Sequence, residues 1–240
     1  MASKEVRDHI RNSYTMFRLG LAALGLLFPL ILWWGGLLFQ VEFQDSISAY
    51  YHTSMRDVFV GSLFSTGVFL YCYKGFTDLE NYVLNFAGIC AVLVSLFPTS
   101  ASNPLKCETF TSPYLHGIFA LLFFAAIAFV CIVLAPQTLK FIKDDPKYTN
   151  KDLMLSKYNW YRGAYRLLGF LMIGLPLLAT LLLLFRSEAR DHVIYFAELA
   201  GIWVFGIYWI VKTIEMRETS LDDIDSKVKV NNDESSSKKI

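Results

Sequence analysis

The sequence predicts an all-α membrane protein, a six-transmembrane-helix bundle with both termini in the cytoplasm. Three observations predict it. The 240 residues are 55% hydrophobic and only 18% charged, and the mean hydropathy is +0.41, whereas soluble domains carry about a quarter charged residues. Six apolar runs punctuate the chain: Leu19–Phe39, Val58–Tyr73, Tyr82–Phe97, Leu115–Ala135, Leu167–Phe185 and Val193–Val211. The basic residues outside those runs fall mostly on one side of a six-span arrangement, as the positive-inside rule requires of a multi-pass protein.

Each run is expected to be a helix, because a backbone in hydrocarbon must satisfy its own hydrogen bonds and continuous apolar runs favour helix over barrel strand. The first is too long for the apolar core of a cleaved signal peptide and is read as a retained helix. The second and third are short of the ~20 residues of a span and are expected to extend into their flanks. Pro98 and Pro113 mark helix ends around the connection between the third and fourth runs, and Pro176 is expected to kink the fifth. Gly61, Gly67, Gly88, Gly117, Gly201 and Gly206 are read as points of close helix packing.

Lys4, Arg7, Arg11 and Arg18 precede the first run, and Arg56, Lys74 and Lys106 stand singly in the next three connections. Lys140, Lys143, Lys147, Lys151, Lys157, Arg162 and Arg166 crowd the fourth, Arg186 and Arg190 occupy the fifth, and the remaining six lie from Lys212 onward. This asymmetry places both termini inside. Residues 1–18 are read as a basic interfacial lead-in, 19–215 as the transmembrane domain, and 216–240 as a disordered cytoplasmic tail rich in Asp, Ser, Lys and Asn. Tyr158, Trp160, Tyr161 and Tyr165, interleaved with Lys and Arg, fit a headgroup-level helix better than a nucleic-acid patch. Membrane lipids are the expected surroundings, in a plasma or bacterial inner membrane.

Asp45–Asp57 is the most unusual stretch. It packs Ser48, Tyr50, Tyr51, His52, Arg56 and Asp57 between two apolar runs, where ionisable groups are costly and mark a site. In the predicted topology it lies outside. His116 and His192 open the fourth and sixth runs on that same side, and Glu198 stands about two turns inside the sixth. Three imidazoles and a carboxylate make a candidate Zn²⁺ site with His52, His116 and His192 as ligands. Asp57 or Glu198 would serve as base or further ligand, and Ser48 would orient a water or oxyanion. Plainer roles stand beside these: interfacial histidines bonded to headgroups, and an Asp57 complementing a helix dipole. Glu198 is the hardest to read plainly, since it lies among Phe196, Ala197 and Leu199 and a buried carboxylate needs a partner.

Ser48-Ala-Tyr-Tyr-His52 followed by Asp57 resembles the Ser-x-x-x-His and downstream Asp pattern of the alkaline ceramidase and adiponectin-receptor superfamily of membrane hydrolases. That resemblance implies His52 as a zinc ligand, with Ser48 and Asp57 beside it. The chain has six apolar runs where the superfamily has seven spans, and it has no late His-x-x-x-His pair. Ser46–Gly61, Tyr73-Lys-Gly75 and Leu96-Phe-Pro-Thr99 together resemble a family of uncharacterised polytopic membrane proteins, which implies a shared site without an activity.

Cys72, Cys90, Cys107 and Cys131 form no CxxC pair and are read as small apolar fillers. No P-loop, dinucleotide turn, HExxH or G-x-S-x-G is present, so neither a nucleotide nor heme is expected. The function classes left open are a metal-dependent hydrolase of a lipid or amphipathic substrate, a small transporter or proton-coupled binding protein, and a non-catalytic membrane subunit.

Overall fold

A computed structural model describes residues 2–99, 113–142, 151–185 and 192–218. Residues 216–218 of the predicted tail form the end of the last helix, while 219–240, Cys107, Lys106, Arg186 and Arg190 lie outside the described residues. Within the described residues the only regular elements are helices, without a strand. The order is α1 (Ala2–Leu38), a 3₁₀ turn (Ser48–His52), α2 (Arg56–Cys72), α3 (Asp78–Leu96) and α4 (Pro113–Phe129). A π turn (Val130–Leu134) leads into a short α5 (Ala135–Thr138) and a second 3₁₀ turn (Leu139–Ile142), followed by α6 (Lys151–Phe185) and α7 (Val193–Glu218).

Each apolar run of the sequence falls in one long helix, save at most for a terminal residue, except the fourth, which runs from α4 through the π turn to Ala135. Among the described residues, four segments are long and apolar enough to cross a membrane: Arg11–Leu38, Asp78–Leu96, Tyr114–Thr138 and Val193–Glu218. α2, with 17 residues, is shorter than the ~20 that span hydrocarbon. The basic lead-in is continuous with the first run, since α1 begins at Ala2 and runs 37 residues. The aromatic segment at Tyr158–Tyr165 likewise belongs to one 35-residue helix with the fifth run, with Pro176 inside it. Tyr161 and Tyr165 turn into the core rather than outward, while Trp160 is exposed.

Local sequence explains the helix ends. Thr77 caps α3 by accepting from the Glu80 backbone N–H at 3.1 Å, and the Glu80 carboxylate reaches back to accept from Phe76 N at 2.8 Å. This is the reciprocal logic of a capping box, stretched by one residue. The π turn ends two residues before Pro136, which has no N–H to continue an α-helical ladder.

The helices pack as a bundle in which α1 lies on α7, α2 on α3, α3 on α4 and α6 on α7. Glycine sets two of these approaches. A Cβ on Gly25 of α1 would stand 2.8 Å from the Gly206 Cα of α7, and one on Gly67 of α2 would stand 2.6 Å from the Gly88 oxygen of α3. Gly67, Gly88 and Gly206 thus have the packing role read from sequence, whereas Gly61 and Gly117 face open space. Cys90 and Cys131 are buried and Cys72 is exposed, each as a free thiol.

Candidate functional site

The stretch from Asp45 to Asp57 folds back over one end of the bundle. It starts beyond α1, where Gln40 takes a left-handed conformation (φ 56) and Val41 N bonds back to Gly36 O at 2.9 Å. Gly35 and Gly36 make room for the returning chain. A Cβ on Gly35 would meet Met55 Cε at 2.4 Å, and one on Gly36 would meet the Tyr50 ring at 3.2 Å. Ile47, Tyr50 and Met55 therefore bury against Phe28, Leu32 and Phe59 in a small apolar core of their own.

α7 holds this stretch from the other side. Tyr195 N donates to Asp45 O at 3.0 Å, and Phe43 packs on the Tyr195 ring at 4.4 Å. Glu198 supplies the main anchor. Its Oε2 accepts from Ile47 N at 2.6 Å and Ser48 N at 3.2 Å, and its Oε1 accepts from Ser48 Oγ at 2.8 Å. A carboxylate inside α7 thus caps the start of the Ser48–His52 turn, where Ser46 Oγ also accepts from Ala49 N at 3.0 Å. The carboxylate's need for partners, evident from its apolar surroundings, is met by three donors from a segment 150 residues away.

The histidines find separate partners. His52 Nε2 lies 2.7 Å from Thr99 O, and His116 Nδ1 lies 2.9 Å from Phe97 O. Since a carbonyl only accepts, each of these nitrogens is the donor. Both rings tie the chain leaving α3 to its neighbours. His192, in a left-handed conformation (φ 68), stands 3.6 Å from Asp45 Oδ1 and stacks edge-on against Phe43. Asp57 lies exposed in the first turn of α2, beside a shallow depression that it shares with Tyr51, Arg56 and Ser95. The helical face expected to join Ser48, His52 and Arg56 is interrupted, because a 3₁₀ turn ends at His52 and α2 starts only at Arg56.

Three of the six candidate residues do meet. Ser48, His116 and Glu198 line one cavity of about 90 Å³ whose remaining wall is apolar, with Phe28, Phe59, Leu63, Phe123, Phe124 and Ile202 among its members. Ser48 and His116 are almost fully buried. His52, Asp57 and His192 stand apart from this cavity. Among the described residues, no group of three His, Cys, Asp or Glu side chains is placed to hold a metal ion.

No protein-family model, curated protein or solved structure matches this chain. Its function is therefore read from its own geometry.

A second polar cluster escapes the sequence reading. Toward the other end of α7, Lys212 Nζ donates to Glu215 Oε2 at 2.8 Å and to Thr138 Oγ1 at 2.9 Å. Thr138 in turn donates to Glu215 Oε1 at 2.6 Å, and Tyr165 OH makes a very short bond to Glu215 Oε2. Nearby, Arg18 is hydrogen-bonded to Tyr73. Arg18, Glu80, Lys212 and Glu215 are each at most 2% exposed. An apolar run ends at its first charge, so in the sequence these four resemble flanking charges facing water. The usable signal is the Lys212-x-x-Glu215 spacing, which puts opposite charges on one face directly below Tyr208 and Trp209.

Proposed function

We propose that the chain is a six-span protein of a plasma or bacterial inner membrane, with both termini cytoplasmic, that receives the apolar part of an amphipathic, lipid-derived molecule in the cavity at its outer end. One observation carries this reading. Ser48, His116 and Glu198, widely separated in sequence, meet around a single cavity that is otherwise apolar. An apolar cavity of this kind tends to stay dry and to accept an apolar guest, and a few convergent polar groups orient such a guest. The size suits several methylene groups or a ring rather than a whole lipid, so the guest's remainder would lie along the bundle surface.

Hydrolysis of that guest is a second reading, favoured by the contact between Ser48 Oγ and the Glu198 carboxylate at 2.8 Å. A serine hydroxyl on a carboxylate is the start of an activated nucleophile. Against it stands the load on Glu198, which already accepts three hydrogen bonds and holds the loop in place with them. The described residues offer no three-ligand set for Zn²⁺, and no step of either reading passes through a metal.

Native mass spectrometry of the detergent-solubilised protein with added oleate tests the binding reading. Wild type should retain oleate, and a substitution of Ala120, which lines the cavity from α4, by Trp (Ala120→Trp) should abolish retention. Equal retention by both would remove the cavity as the binding place.

A further inference from the structure

The second cluster contains two polar atoms that its hydrogen bonds leave out. Tyr208 OH and Trp209 Nε1 are fully buried and have no hydrogen-bond partner among the described residues. Tyr208 and Trp209 precede Lys212 by four and three residues, so all three lie on one side of α7. The Tyr208 ring packs against Tyr165 at 5.9 Å, and the Trp209 ring packs against Tyr73 at 5.1 Å. The Tyr208 hydroxyl is within electrostatic reach of Cys131 from the π turn, Glu80 from α3, Tyr73 at the end of α2, and Glu215. Lys212 is within similar reach of Glu80 and Tyr73 as well as Glu215.

Buried tyrosine hydroxyls and tryptophan N–H groups normally have partners, and one left dry carries its full desolvation cost. Two such atoms beside four buried charges are not a plausible dry packing defect. Buried water characteristically fills such gaps, making two to four bonds to groups that would otherwise go unsatisfied.

We propose that this end of the bundle encloses bound water, one molecule or a short chain, that accepts from both Tyr208 and Trp209 and joins them to the Glu80, Lys212 and Glu215 charges. The cluster is then a hydrated polar chamber between α2, α3, α6 and α7, not a dry ion pair. The ligand class is water, because the orphaned atoms are a hydroxyl and an N–H, and the nearby charges already balance one another.

Radiolytic footprinting in ¹⁸O-labelled water reads this directly, since hydroxyl radicals formed from bound water oxidise only the side chains touching it. Tyr208 and Trp209 should take up labelled oxygen several-fold faster than Met172, which is equally buried in the apolar core. The Tyr208→Phe variant gives an independent reading. Removing a hydroxyl bonded to water should lower the melting temperature, whereas removing a dry, orphaned one should leave it unchanged or raise it. Labelling of Tyr208 and Trp209 no faster than Met172, or a Tyr208→Phe protein that melts at or above wild type, would overturn the proposal.

Discussion

Two buried carboxylates on α7 do different work, and each can be tested by substitution. Glu198 takes three hydrogen bonds from the loop segment, so its removal frees that segment as well as losing a charge. Glu198→Ala is expected to cost about 3 kcal/mol, and Glu198→Gln, which keeps one acceptor, about half as much. The buried thiols of Cys90 and Cys131 allow a thiol-reactive dye to follow the melting. Equal melting of Glu198→Ala and wild type would deny the anchor. Glu215 is satisfied by Lys212, Thr138 and Tyr165. Lys212→Met strands its charge and should cost about 3–5 kcal/mol, while Lys212→Met combined with Glu215→Gln should recover much of the loss. A double variant as unstable as the single would contradict that pairing. Glu198 is legible in the sequence as a carboxylate among apolar neighbours, but its partners are not, because they come from 150 residues away. Lys212 escapes for a simpler reason: a charge at the end of an apolar run looks the same whether it meets water or a buried carboxylate.

Among the helices, the apolar runs mark every long one, and glycine decides how closely some of them approach. Gly67→Leu drives a side chain into the Gly88 backbone oxygen. It should destabilise the α2–α3 pair by about 1–3 kcal/mol, measured by the same dye-monitored melting. Gly117→Ala adds a methyl to open space and should change stability by no more than about 0.5 kcal/mol; comparable losses in the two variants would mean that close approach is not what Gly67 provides. The sequence marks glycines without marking their neighbours, which is why Gly61 and Gly117 cannot be told there from Gly67 and Gly88. The start of α2 is also hidden. The Ser48–His52 turn takes two of its backbone bonds from Glu198 of another helix, and the local bonds of Ser46 and Thr53 to the backbone do not by themselves place the boundary in the sequence.

Across the whole molecule, glycine contacts, an apolar core and two polar clusters hold the bundle, one cluster toward each end of α7. Glu198 and Lys212 are 14 residues apart, or about 21 Å along that helix at ~1.5 Å per residue. The proposed topology puts the Glu198 end outside and the Lys212 end inside. In a background with the four cysteines replaced, a membrane-impermeant maleimide on intact cells should label Ser54→Cys, and label Lys74→Cys only after permeabilisation. The opposite pattern would invert the topology and place the cavity on the cytoplasmic side. Whether the cavity under Ser48 takes an amphipathic guest can be read with a photoactivatable fatty acid, followed by mapping of the adducts. Adducts are expected on the cavity wall, at Phe123, Phe124 or Ile202, and should disappear in Ala120→Trp. Adducts confined to exposed, outward-facing residues such as Leu121 and Leu122, unchanged by that variant, would refute a guest in the cavity.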